Sequence, residues 1–202
     1  MPYVSRCTKI KRFDRNLFQP ESLCDKIKSS QTKSSKIWFG KLTYFLKGGI
    51  FMNTLNLQNN EGSGKIEYRF YNTLPEEAKL IRTEVFMEEQ GFKNEFDEDD
   101  SRCVHAVVFL DGKLAATGRM FPPENGVCVI GRIAARKIFR GKNLGAKTVM
   151  LLEEKARELG AEKIALSAQC RVQGFYEKLG YTASGEVYSD EYCPHIHMEK
   201  LL

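Results

Sequence analysis

The sequence predicts a mixed α/β fold, a central mixed β-sheet of about seven strands with helices on both faces. Three observations carry this. From Ile66 onward the hydrophobic patterning reads β-α-β-β-β-α-β-α-β-β. Asp111-Gly112 joins two apolar runs and is a strong hairpin turn, so part of the sheet is antiparallel. The apolar run Val127 to Ala135, the glycine-bearing loop Arg140 to Ala146 and a helical pattern opening at Leu144 form a strand-loop-helix unit, so another part is parallel.

The elements follow in order. Ile66 to Tyr71 alternates apolar and polar residues and reads as a strand. Thr73-Leu74-Pro75-Glu76 reads as a capping box, opening a helix that carries Ala78, Ile81 and Val85 and stops at Gly91. Phe92 to Asp100 is an acidic loop. Cys103 to Leu110 and Leu114 to Met120 form the hairpin. Val127 to Ala135 is so continuously apolar that burial on both faces is expected. Val149, Leu152, Ala156 and Leu159 mark a helix ended by Gly160. Lys163 to Gln169 is a strand, and Val172, Phe175, Tyr176 and Leu179 share one face of a short helix. Strands near Tyr181 to Tyr188 and Cys193 to Lys200 close the chain.

The 202 residues suffice for one well-buried domain, and the net charge of +5 is unevenly spread. Residues 1–51 hold 11 Lys/Arg against 3 Asp/Glu, leaving 20 against 23 in residues 52–202. The domain proper is therefore mildly acidic, which argues against nucleic acid as its partner. Six scattered cysteines without a C-x-x-C pair or secretory signal suit reduced thiols in the cytoplasm. No apolar run is long enough to span a membrane, and no membrane partner is expected.

Three segments result: a basic extension 1–51, a polar linker or tail 52–64 that ends in Asn59-Asn60-Glu61-Gly62-Ser63-Gly64, and the domain 65–202. Three readings of the extension stay open. It suits an organellar transit peptide, being basic and Ser-containing, or a basic arm for nucleic acid or a membrane surface. The third reading starts translation at Met52, because Lys47 to Phe51 can be encoded as a purine-rich ribosome-binding sequence at normal spacing from that codon.

The loop Arg140-Gly141-Lys142-Asn143-Leu144-Gly145-Ala146 is suited to a phosphate group. Unpaired N–H groups and the dipole at a helix start attract an anion, and Arg140 and Lys142 add full charges. Gly141 and Gly145 permit close backbone approach, and Asn143 tolerates positive φ. By itself the loop is equally an ordinary basic turn.

With Gln169 and Phe175-Tyr176-Glu177-Lys178-Leu179-Gly180-Tyr181 following it, the chain over residues 66–202 resembles the GNAT superfamily of acetyl-CoA-dependent N-acetyltransferases. Glu88-Glu89-Gln90-Gly91, Ser167-Ala168-Gln169 and Pro194-His195-Ile196-His197-Met198 resemble its small bacterial ElaA-like branch. The resemblance implies a splayed sheet with acetyl-CoA, as co-substrate, lying in the split. Arg140 takes the first position of the family's phosphate motif and Gly145 the last, while Asn143 replaces a glycine. The backbone of Ile133, Ala134 and Ala135 is then expected to pair with pantetheine, with Phe175 and Tyr176 also beside the cofactor.

The implied activity is transfer of an acetyl group to a primary amine of a small, cationic acceptor by direct attack. A protein lysine or N-terminus as acceptor, and a non-catalytic acyl-CoA-binding or regulatory domain, remain alternatives. Tyr176 matches the family's proton donor to the leaving sulfur, although its spacing alone, with Phe175 and Leu179 on the same face, reads as a core aromatic. Glu88, Glu89 and His195 are the candidate bases, and His105 reads as a core histidine. Cys193, His195 and His197 share a strand face but are too few to make a metal expected. A small amine is the expected partner, and a homodimer stays open.

Overall fold

The structure, a computed structural model, describes residues 43–46, 50–53 and 64–202. Most of the extension 1–51 and of the linker 52–64 lies outside the described residues. Within them, strands β1 (Thr43–Leu46) and β2 (Ile50–Asn53) pair antiparallel, and β2 runs across Met52.

From Ile66 the seven expected strands are present: β3 (Ile66–Tyr71), β4 (Val104–Leu110), β5 (Lys113–Met120), β6 (Val127–Ala135), β7 (Lys163–Gln169), β8 (Thr182–Asp190) and β9 (Cys193–Leu201). With β1 and β2 they form one mixed sheet in the order β1-β2-β3-β4-β5-β6-β7-β9-β8. Among the described residues only β6 and β7 pair in parallel; the other pairings are antiparallel. At the β4–β5 turn Asp111 and Gly112 both take positive φ, the signature of a tight hairpin.

Helix α1 (Glu76–Arg82) continues without a break into a π-helical segment, Thr83–Glu89. The expected capping box is absent. Pro75 is the N-cap, with no side-chain cap bond, so Thr73 lies outside the helix and the fixed φ of proline sets its start. Gly91, at φ +83°, stops the π-helical turn as expected. Helices α2 (Leu144–Glu158) and α3 (Gln173–Glu177) follow their strands.

Two apolar cores flank the sheet. The larger joins Tyr68, Ala106, Ile130, Val149, Leu152, Ile164 and Met198 under α2 and α3. The smaller joins Ile81 and Val85 of α1 to Ala134. The expected two-sided burial of β6 fails. Cys128, Ile130 and Ala134 are buried, but Val129 is 43% exposed, because the α1 core reaches this strand only at Ala134. Among the described residues no helix is long and apolar enough to cross a membrane.

Candidate active site

Strands β6 and β7 pair only over Val127–Val129 and Lys163–Ala165. Beyond those residues they separate and open a cleft of about 1050 Å³, floored by Gly131 to Ala135 of β6 and Leu166, Ser167 and Gln169 of β7. A bulge marks the point of separation. Between the pairs Arg119–Gly131 and Thr117–Ala134, Gly118 faces both Arg132 and Ile133. Arg132 takes φ +53°, a conformation that costs a non-glycine residue free energy and recurs at functional sites. Past the bulge, the β6 edge facing the cleft has no strand partner among the described residues.

The basic loop closes one end. Gly141 (φ +78°) and Asn143 (φ +61°) turn the chain so that Asn143 caps α2. The first N–H groups of that helix therefore have no intrahelical partner and stand beside the cleft. Arg140, Gly141, Asn143, Leu144, Gly145 and Ala146 line it, whereas Lys142 is exposed outside it. Arg140 is already paired: Nη1 and Nη2 donate to the two carboxylate oxygens of Glu89 at 2.6 and 2.7 Å, and Nε donates to the Ala135 carbonyl. That pairing holds the Glu89 carboxyl below its ordinary range. A carboxylate so held is a poor proton acceptor. Glu88, by contrast, is exposed and does not line the cleft. As a candidate base it is corrected: the π-helical turn brings Val85, Phe86, Glu89 and Gln90 to the cleft and leaves Glu88 outside.

Tyr176 is buried in the cleft wall. Its ring packs edge-on against Phe175 and Tyr181, and burial pushes its hydroxyl up to about 12. It is both a core aromatic and a cleft residue. His195, on β9, is buried and also lines the cleft, with Tyr188 stacked on its ring. Its Nδ1 lies 2.9 Å from the Cys193 carbonyl. A carbonyl oxygen only accepts, so Nδ1 carries the hydrogen and Nε2 keeps its lone pair in the neutral ring. His197 pairs instead with Glu199, and His105 is buried with Nε2 against the Asp100 carbonyl. Among the described residues no group of three His, Cys, Asp or Glu is placed to hold a metal.

Several cleft residues left little trace in the sequence. In the acidic loop Glu95 and Asp100 are buried and bonded to Arg82, Arg119 and Arg132. One signal existed: Arg82 stands four residues after Ala78 and beside Ile81, on the buried stripe of α1. The loop is also clasped by the β8–β9 turn. The Glu191 carboxylate accepts from the N–H groups of Lys93 and Asn94, and Tyr192 stacks on Phe92 and donates to the Gln90 carbonyl. At the far wall the Gln90 side-chain carbonyl accepts from both Gln169 and Arg171.

Residues 68–181 match the family model described as Acetyltransferase (GNAT) family. The protein YyaT of Bacillus subtilis is 36% identical over 129 residues, covering 61% of this chain and 86% of its own. An acyl-CoA N-acyltransferase from Pseudomonas aeruginosa superposes with a TM-score of 0.60 at 29% identity, over 67% of this chain and 99% of its own. ElaA of Escherichia coli superposes with a TM-score of 0.60 at 25% identity, with the same coverage of 67% and 99%.

Proposed function

We propose that this chain, which belongs to the GNAT family of acetyltransferases, transfers the acetyl group of acetyl-CoA to a primary amine. One observation carries the reading: a single cleft holds the α2 N-terminus, the unpaired β6 edge, Tyr176 and His195. The acyl-CoA chemistry in the name of the Pseudomonas aeruginosa relative points the same way.

The α2 N–H groups and Arg140 bind the pyrophosphate, an anion matched to a helix N-terminus. The open β6 edge from Ile133 to Ala135 pairs with the amides of pantetheine as an added strand. The thioester then reaches the bulge at Gly131–Arg132, where backbone turned out of the β5 ladder supplies a donor to the developing oxyanion.

His195 takes a proton from the acceptor ammonium at Nε2, directly or through one water, and the Cys193 carbonyl holds the tautomer that makes this nitrogen basic. The freed amine attacks the acetyl carbon, the C–N bond forms and the C–S bond breaks. Tyr176 gives its hydroxyl proton to the departing sulfur, and the second proton that the nitrogen sheds as the amide forms returns to the phenolate, directly or through water. A hydroxyl held near 12 stays protonated through neutral pH, as a proton donor must.

A panel of amines incubated with acetyl-CoA, followed by release of free thiol, tests the reading. Amine-dependent thiol release with acetylated product is expected. Tight acetyl-CoA binding with no transfer to any amine or protein substrate would leave a non-catalytic acyl-CoA-binding domain in its place.

A further inference from the structure

Glu95 lies in the loop that follows the π-helical turn, is only 5% exposed, and lines the cleft. Its Oε1 accepts from Arg82 Nε at 2.6 Å and lies 3.1 Å from Arg132 Nε. Its main-chain carbonyl accepts from Arg82 Nη2 at 2.7 Å and Arg132 Nε at 3.4 Å. No described residue donates to Oε2.

The two other acids of this network differ in that respect. Asp100 uses both oxygens, Oδ1 for Arg82 and Arg119 and Oδ2 for Arg82 and the Asp97 N–H. Asp97 divides its two between Arg119 and Arg132. Neither lines the cleft. So the one carboxylate oxygen of the network without a protein donor belongs to the one acid that borders the cavity. Oε2 is not sealed in the interior, so it is open to a donor that enters the cleft.

We infer that Glu95 Oε2 is the docking point for the ammonium of the acceptor, which makes protonated alkylamines the substrate class. The inference rests on the acetyl-transfer reading and adds to it. Arg82 and Arg132 fix the carboxylate through Oε1 and the adjoining carbonyl, so Oε2 is presented in a set direction. Burial holds the Glu95 carboxyl above the usual carboxylate range even with those arginines beside it. An ammonium supplies up to three donors. It meets Glu95 on the β6 side of the cleft and His195 on the β9 side, and transfer of one proton to His195 Nε2 leaves the neutral amine in place to attack.

The test compares two acceptors of similar shape near neutral pH: benzylamine, which is protonated there, and aniline, which is not. Glu95→Gln keeps the volume and an acceptor oxygen for Arg82, but turns an NH2 group toward the ammonium. Its KM for benzylamine is expected to rise about tenfold or more, the loss of one charged hydrogen bond. Its kcat/KM for aniline should change less than about twofold, an outcome that a merely structural role for Glu95 does not give. Glu95→Asp withdraws the carboxylate by one methylene and keeps its charge, so it repeats the comparison if the first variant folds poorly. Equal losses on both amines in these variants, or a wild-type preference for aniline, overturn the ammonium site and leave acetyl transfer standing. Failure of the wild-type protein to acetylate any amine overturns the transfer reading itself.

Discussion

Glu89 grips Arg140 across the cleft with two parallel hydrogen bonds of 2.6 and 2.7 Å, although the residues are 51 positions apart. The grip places a carboxylate beside the guanidinium that faces the phosphate site, so an incoming pyrophosphate competes with Glu89. Both side chains are more than a third exposed, and such pairs contribute about 0.2–1 kcal/mol. Glu89→Gln is therefore expected to tighten acetyl-CoA binding by up to about fivefold, with the gain shrinking as salt is added. Calorimetry at two ionic strengths measures it. Weaker binding would mean that Glu89 serves to aim Arg140.

Gly145 tests the phosphate site from its other side. A Cβ at this position meets only the Phe175 ring, at 3.6 Å, so a side chain fits the folded protein. Gly145→Val should therefore fold, and valine in place of glycine is no burden to a helix. Its methyls fill the space above the first turn of α2, where the pyrophosphate approaches the N–H groups. Acetyl-CoA affinity is expected to fall at least about a hundredfold, since several charge-assisted bonds are lost together. A folded variant with unchanged affinity would remove the pyrophosphate from this helix.

The parts of the fold legible in the sequence are those with a local signature. Ile66–Tyr71 alternates, Asp111-Gly112 can only turn tightly, and Gly160 ends α2 at φ +83°. The separation of β6 from β7 has no such signature, because both are ordinary apolar strands and only the resemblance implied the split. The Arg82–Glu95 and Arg82–Asp100 bonds join residues 13 and 18 apart, so no helical or strand period registers them. For the same reason nothing in the acidic loop's composition tells which of its carboxylates are buried. The π-helical turn leaves no mark in composition, and residue types alone do not tell that Glu89 reaches the cleft and Glu88 does not.

Asp100 links this buried network to acid stability. Although burial alone pushes its carboxyl up, the hydrogen bonds of Arg82 and Arg119 prevail and lower it from 3.8 to about 2. A folded-state value below the unfolded one contributes stability that is present above the unfolded value and lost as pH falls toward the folded one. That contribution is about 2 kcal/mol, lost between roughly pH 5 and pH 2. Asp100→Asn leaves two buried guanidiniums short of their partner and should cost about 3 kcal/mol at neutral pH. Urea unfolding from pH 7 to pH 3 is expected to show a steep loss in the wild type and a flatter one in the variant. Parallel curves would show that Asp100 does not control acid stability.

His195 is tested by putting back what is removed. His195→Ala deletes the proton acceptor and leaves a gap beside Tyr188 that opens on the cleft. The kcat should fall about a hundredfold, the low end for a general base, and added imidazole should restore part of it. Full activity without imidazole would move the base elsewhere.

Tyr176→Phe probes the other end of the proton path. The change removes one oxygen and keeps the ring, so the edge-on contacts with Phe175 and Tyr181, at centroid distances of 4.9 and 5.8 Å, should survive with the fold. A thiolate leaves far more readily than an alkoxide, so protonation assists departure without being indispensable. The loss in kcat is therefore expected to be partial, about a hundredfold. The KM for acetyl-CoA should hardly move, because the cofactor is held mainly along its pyrophosphate and pantetheine, by Arg140, the α2 N-terminus and the β6 edge. Lower kcat with unchanged cofactor binding marks a contact made chiefly in the transition state. The pH profile adds a second check. With the hydroxyl near 12, no alkaline fall in rate below about pH 10 can come from Tyr176, and the variant should keep the wild-type profile there. Full kcat in Tyr176→Phe with a verified acceptor would reduce this tyrosine to a packing residue and assign the proton to water.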